Sequence, residues 1–140
     1  MPITRMTEMW ARLQAYTLNA AGEERLVNHL NEWGGFSRKL KLPAFTAWYD
    51  RVVYDKTTRM TTALVNDTNW DRPAGVNNQE RWIAFAEQEN QGIAAFFIIH
   101  AVDVDAPRRT VQYIDDDKVF VGQLVRNGTE TFIVGQPKQT

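Results

Sequence analysis

Residues 93–104 read Ile-Ala-Ala-Phe-Phe-Ile-Ile-His-Ala-Val-Asp-Val, the longest apolar run in the chain. Phe96, Phe97, Ile98 and Ile99 place large side chains on both faces of any strand they form. A strand apolar on both faces is buried on both, so the run predicts the middle of a sheet with material packed on each side. It is too short to span a bilayer, and its β-branched and aromatic content disfavours a helix. The rest of the chain must supply what covers it.

At 140 residues with 44% hydrophobic content, the chain reads as one domain, residues 1–140, able to bury a core without staples. It has no cysteine, which excludes disulfides, thiolate metal sites and thiol catalysis and agrees with a reducing cytoplasm. No leader-like segment and no membrane-length apolar window occurs, so the expected setting is cytoplasmic with no membrane partner. Asn66-Asp67-Thr68 and Asn127-Gly128-Thr129 match the glycosylation sequon; without a leader both read as turn chemistry.

Two N-terminal helices are expected. Thr4 can cap the first, whose face is Met6, Met9, Trp10, Leu13 and Thr17. After a break at Asn19 to Gly22, the second carries Glu23 and Glu24 at its start and Leu26, Val27, Leu30 and Trp33 on its face, and ends at Gly34-Gly35. Together they predict a helical hairpin on one face of the sheet. Phe36 to Pro43 reads as an exposed connector, and 44–55 and 60–65 as a strand hairpin. Residues 66–78, rich in Asn, Asp, Gly and Pro, form a long loop of the kind that is often functional. A third helix is expected from Asn77 or Asn78 to Asn90, with Gly92 just beyond it. Strands follow at 109–114, 119–126 and 129–135, the last two joined across Asn127-Gly128, the strongest hairpin signal present. The expected fold is therefore α+β: an antiparallel or mixed sheet of about five or six strands, an N-terminal helical hairpin and one further helix.

The formal net charge of −1 offers no global field for a polyanion. Locally the balance differs. Residues 34–60 hold Arg38, Lys39, Lys41, Arg51, Lys56 and Arg59 against Asp50 and Asp55, interleaved with aromatics such as Trp48. Cations hold phosphates and aromatic faces stack on bases, so the stretch suits DNA or RNA. The bland alternative is a strand whose aromatics fill a core while its cations face water. Trp70 beside Arg72 can stack on a ligand, although a Trp in a polar loop more often folds back onto a core edge. The candidate nucleic-acid-binding residues are thus Arg38, Lys39, Lys41, Trp48, Arg51, Trp70 and Arg72.

Other chemistry is thinly supplied. His29 and His100 read as hydrogen-bonded core residues, and two histidines without cysteine make a poor zinc set. Asp67, Asp71 and Glu80 could hold a hard cation for phosphodiester cleavage. Asp116-Asp117-Lys118 sits in a turn, and Asp103 and Asp105 lie at the end of the apolar run. No Walker loop, dinucleotide glycine fingerprint, nucleophile elbow or His-Glu-x-x-His motif occurs. The expected function is a non-catalytic nucleic-acid-binding module without cofactor or resident metal. The alternatives are a protein-interaction domain, working as inhibitor, subunit or homodimer, and a metal-dependent phosphodiesterase or nuclease.

Overall fold

The computed structural model describes residues 5–18, 21–27, 33–70, 72–107 and 109–138. Among them, the run identified above forms β7 (Ile93–Ala101), in the interior of one mixed sheet. In chain order the other strands are β1 (Ala15–Leu18), β2 (Glu24–Leu26), β3 (Gly34–Ser37), β4 (Leu42–Trp48), β5 (Val52–Asp55), β6 (Met60–Asp67), β8 (Val111–Ile114), β9 (Val119–Asn127) and β10 (Glu130–Lys138). Two helices accompany them, α1 (Met6–Arg12) and α2 (Pro73–Glu89). The spatial order is β2-β1-β3-β4-β7-β9-β10-β6-β5, with β8 pairing the C-terminal half of β7. Among the described residues only β4 and β7 run parallel.

The fold is thus a ten-stranded sheet, and the expected helical hairpin over five or six strands is not formed. Three local features account for the difference. First, α1 stops at Arg12 because Gln14 takes a left-handed φ of 52°, so Thr17 falls in β1 rather than on a fifth helical row. Second, β2 pairs with β1 where the second helix was expected to begin, and Leu26 of the anticipated helical face is 81% exposed. Leu30 and the rest of 28–32 lie outside the described residues. Third, Gly34 and Gly35 are strand residues in close packing, not a helix stop. A Cβ on Gly34 would meet Gln79 Oε1 at 2.3 Å, and one on Gly35 would meet the Tyr16 carbonyl at 2.6 Å.

Both faces of β7 are covered. Ala94, Phe96 and Ile98 point with Phe45 and Ala47 of β4 into a cluster with Trp82, Ile83 and Ala86 of α2. Ala95, Phe97 and Ile99 point the other way, onto Met9, Trp10 and Leu13 around α1. Phe96 stacks on Phe120 at 4.7 Å and Trp10 meets Phe97 edge-on at 5.0 Å. Each buried Phe or Ile contributes about 1.5–3 kcal/mol, so these two layers are the main apolar driving force.

Helix α2 lies across β3, β4, β6 and β7. It begins earlier than expected because Pro73, pre-set for helical φ and lacking an N–H to satisfy, starts its first turn. Its inner face is Gly75, Val76, Gln79, Trp82, Ile83 and Ala86, a stripe that recurs every three to four residues. Gly122 and Gly135 face each other across β9 and β10 with no room for a Cβ on either, and a register shift between Thr131 and Phe132 bulges β6. That bulge turns Asn66 toward α2, where its Nδ2 donates to Glu80 Oε1 at 2.9 Å.

Candidate functional site

The C-terminal ends of β4 and β7, with β8, gather most of the exposed chemistry. After Trp48, β4 breaks into a single 3-10 turn, Tyr49–Arg51, before β5. The parallel register Trp48↔Ile99 brings Tyr49 beside His100, and the antiparallel register of β7 and β8 places Tyr113 opposite His100. The three rings stack in a row. Tyr49 and His100 lie 4.5 Å apart at 24°, and His100 and Tyr113 lie 4.1 Å apart at 13°. His100 Nε2 is 3.0 Å from Asp115 Oδ2. The imidazole is 15% exposed, while the outer rings are open, Tyr49 at 60% and Tyr113 at 41%.

A second polar clamp adjoins this row. The Arg109 guanidinium donates to both oxygens of Asp50, at 2.7 and 2.9 Å, and lies 5.3 Å from the Trp48 ring centre. Its Nε also donates to the Val104 carbonyl at 3.0 Å. The clamp ties the segment after β7 to the turn after β4. The Arg109 hydrogen bond holds the Asp50 carboxyl below the usual carboxylate range, against the opposing effect of partial burial.

Ten large hydrophobic side chains stand out as exposed among the described residues, and seven of them are in these same segments: Tyr49, Val53, Tyr54, Val102, Val104, Val111 and Tyr113. Val53 and Tyr54 are on β5, which among the described residues ends the sheet and pairs only with β6. Residues 49–55 and 102–118 carry seven aspartates to four Lys or Arg, so the segments bearing these apolar side chains are net acidic, with Asp50 paired to Arg109 and Asp116 to Arg12.

The seven residues expected to contact nucleic acid do not form one surface. Arg38, Lys39 and Lys41 lie in the turn before β4, and Trp48 and Arg51 at and beyond its other end, about 20 Å away for seven strand residues. Arg38 is paired with Glu24 and covers the Tyr16 ring at 4.4 Å; Lys39 and Lys41 are exposed. Arg51 Nε is 3.8 Å from Asp50. Trp70 meets Trp33 edge-on at 5.7 Å, and Arg72 lies 6.0 Å from the Trp33 ring centre. Trp70 thus packs back beside the start of α2.

The carboxylates considered for a metal are dispersed. Asp67 accepts from the Asn69 backbone N–H in a turn, and Glu80 accepts from Asn66 and Arg126. Asp71 and His29 lie outside the described residues. Asp116 pairs with Arg12, and Asp103 accepts from the Asp105 N–H. Among the described residues no three His, Asp or Glu side chains converge as metal ligands, and no helix is long and apolar enough to cross a membrane.

The ring row escaped detection from sequence because Tyr49, His100 and Tyr113 are distant along the chain. Only strand pairing unites them. Compared with models of protein families, with characterised proteins and with solved structures, the chain matches none.

Proposed function

We propose that this chain is a non-catalytic protein-interaction domain that docks a basic, extended segment of a partner protein on the β4, β7 and β8 ends and on β5. The carrying observation is the concentration of exposed large apolar side chains at 49–54 and 102–113. Apolar surface rimmed by polar groups is the usual mark of an interaction site. The net acidic charge of these segments selects a cationic partner. It opposes both a second copy of the same surface and a phosphate backbone. An extended segment suits β5, an end strand whose outer edge can receive another strand.

The test is affinity capture with wild type and Val53→Ser/Tyr54→Ser as matched baits, followed by calorimetry on the purified partner. A partner with negative ΔCp of binding, lost with the double variant, supports the reading. Equal binding by both baits overturns it. Binding to single- or double-stranded DNA or RNA across a salt series tests the other reading, which the presence of Trp48 and Arg51 at this same end favours. Salt-sensitive binding lost on Trp48→Ala/Arg51→Ala would replace the protein partner with nucleic acid.

A further inference from the structure

We infer that Tyr113 and Asp115, braced by His100, form a seat for one arginine side chain of the incoming segment. The inference rests on the protein-partner reading above and specifies its chemistry.

Asp115 lies one residue beyond β8, but its N–H donates to the Ile98 carbonyl at 2.9 Å and so continues the ladder, which leaves its side chain on the same face as Tyr113 two residues before. Among the described residues β8 is a sheet margin at this point: it pairs only with β7, whose contact with β9 is confined to residues 93–96. One face of the Tyr113 ring is held by His100 at 4.1 Å. Among the described residues no ring or cation is stacked on its other face, and the residue is 41% exposed. Asp115 is fixed by the imidazole through Oδ2 at 3.0 Å, while an ionised carboxylate has about four acceptor positions. Acceptor capacity therefore remains beside an open, pre-oriented π face.

A flat π face next to a carboxylate is what a guanidinium takes: it stacks on the ring and donates through its fork. The same molecule contains the finished version of this contact, where Arg109 lies over Trp48 and donates to both oxygens of Asp50. Tyr113 with Asp115 offers the same two partners with no arginine of the described chain in place. A nucleobase could use the ring, but Asp115 would face its phosphate with a like charge.

The experiment titrates the isotopically labelled protein with N-acetyl-arginine amide and follows the Tyr113 and His100 ring signals by NMR. N-acetyl-lysine amide and adenosine monophosphate serve as comparison probes. The expected result is a saturable shift of both rings with the arginine probe, about fivefold weaker in Asp115→Asn and in Tyr113→Leu. Tyr113→Phe, which keeps the ring, should bind as wild type does. Unmoved ring signals, full affinity in Asp115→Asn, or an equal response to adenosine monophosphate overturns the seat. If Asp115→Asn keeps the captured partner while the arginine probe fails, the seat alone falls. If Val53→Ser/Tyr54→Ser captures that partner as wild type does, the interaction reading falls.

Discussion

Replacing Gly122 with alanine tests whether close backbone approach at the β9–β10 glycine pair requires glycine there. A Cβ there would lie 2.0 Å from the Val134 carbonyl oxygen, 2.5 Å from its carbon and 2.4 Å from Gly135 Cα. The shortest of these is some 1.4 Å inside the 3.4 Å at which ordinary contact begins. Overpacking against side chains costs about 1–3 kcal/mol, because they can rotate away. Backbone paired on both sides cannot, so the expected cost is about 3 kcal/mol, a large part of the roughly 5–15 kcal/mol that stabilises a domain. With a urea m-value of about 2 kcal/mol per M, the unfolding midpoint falls by about 1.5 M. Gly128→Ala is the control. Gly128 has a φ of +64° with nothing within 4 Å of its would-be Cβ, so only left-handed backbone strain remains, about 1–2 kcal/mol. Urea unfolding followed by tryptophan fluorescence and circular dichroism measures both. A Gly122→Ala midpoint equal to wild type, or a smaller loss than for Gly128→Ala, would refute the steric account.

Thr17 is fully buried; its hydroxyl donates to Asn78 Oδ1 and accepts from Trp82 Nε1, both at 3.0 Å. Thr17→Val keeps the shape but leaves the indole N–H unpaired in the core, so a loss of about 1–3 kcal/mol is expected in the same unfolding assay; an unchanged midpoint would mean that the indole finds another acceptor. Asp50 has a lowered folded-state pKa, so its contribution is present above its unfolded value and is lost as pH falls through the folded one. The midpoint difference between wild type and Asp50→Asn should therefore be largest near neutral pH and shrink below about pH 4; a pH-independent difference would locate the effect elsewhere. Hydrogen exchange in the same variant should quicken around Val104, whose carbonyl Arg109 also holds, and unchanged exchange would mean that the segment is anchored without the clamp.

Much of the central architecture was legible in the residues themselves. The two-sided apolar run did become a strand buried on both faces, and a hairpin does join β9 to β10, although its turn residues are Gly128-Thr129 rather than Asn127-Gly128. Those signals are local and strong. The N-terminal quarter misled for a physical reason: Met6, Met9, Trp10 and Leu13 keep helical spacing, and nothing in composition marks Gln14 as the residue that turns left-handed. Glycines were ambiguous in the same way. Gly34-Gly35 reads as a helix stop, but what requires glycine there is contact with Gln79 and the Tyr16 carbonyl, set by packing of distant elements.

The candidate site was hidden by a related limit. Treating 44–55 as one strand gives a strict two-residue alternation, which puts Tyr49 and Arg51 on one face and Trp48, Asp50 and Tyr54 on the other, neither face cleanly basic. The 3-10 turn at Tyr49–Arg51 breaks that alternation and frees Tyr49 to join a row whose other members come from β7 and β8. The basic residues before β4 then fall at the far end from Trp48, while Arg109, from the aspartate-rich segment 103–117, is held against Trp48 and Asp50. A stretch that is cationic when counted along the chain is therefore replaced in space by an aromatic end borne on net acidic segments. Charge that matters for recognition belongs to the folded neighbourhood, which here argues for a cationic partner rather than a polyanion.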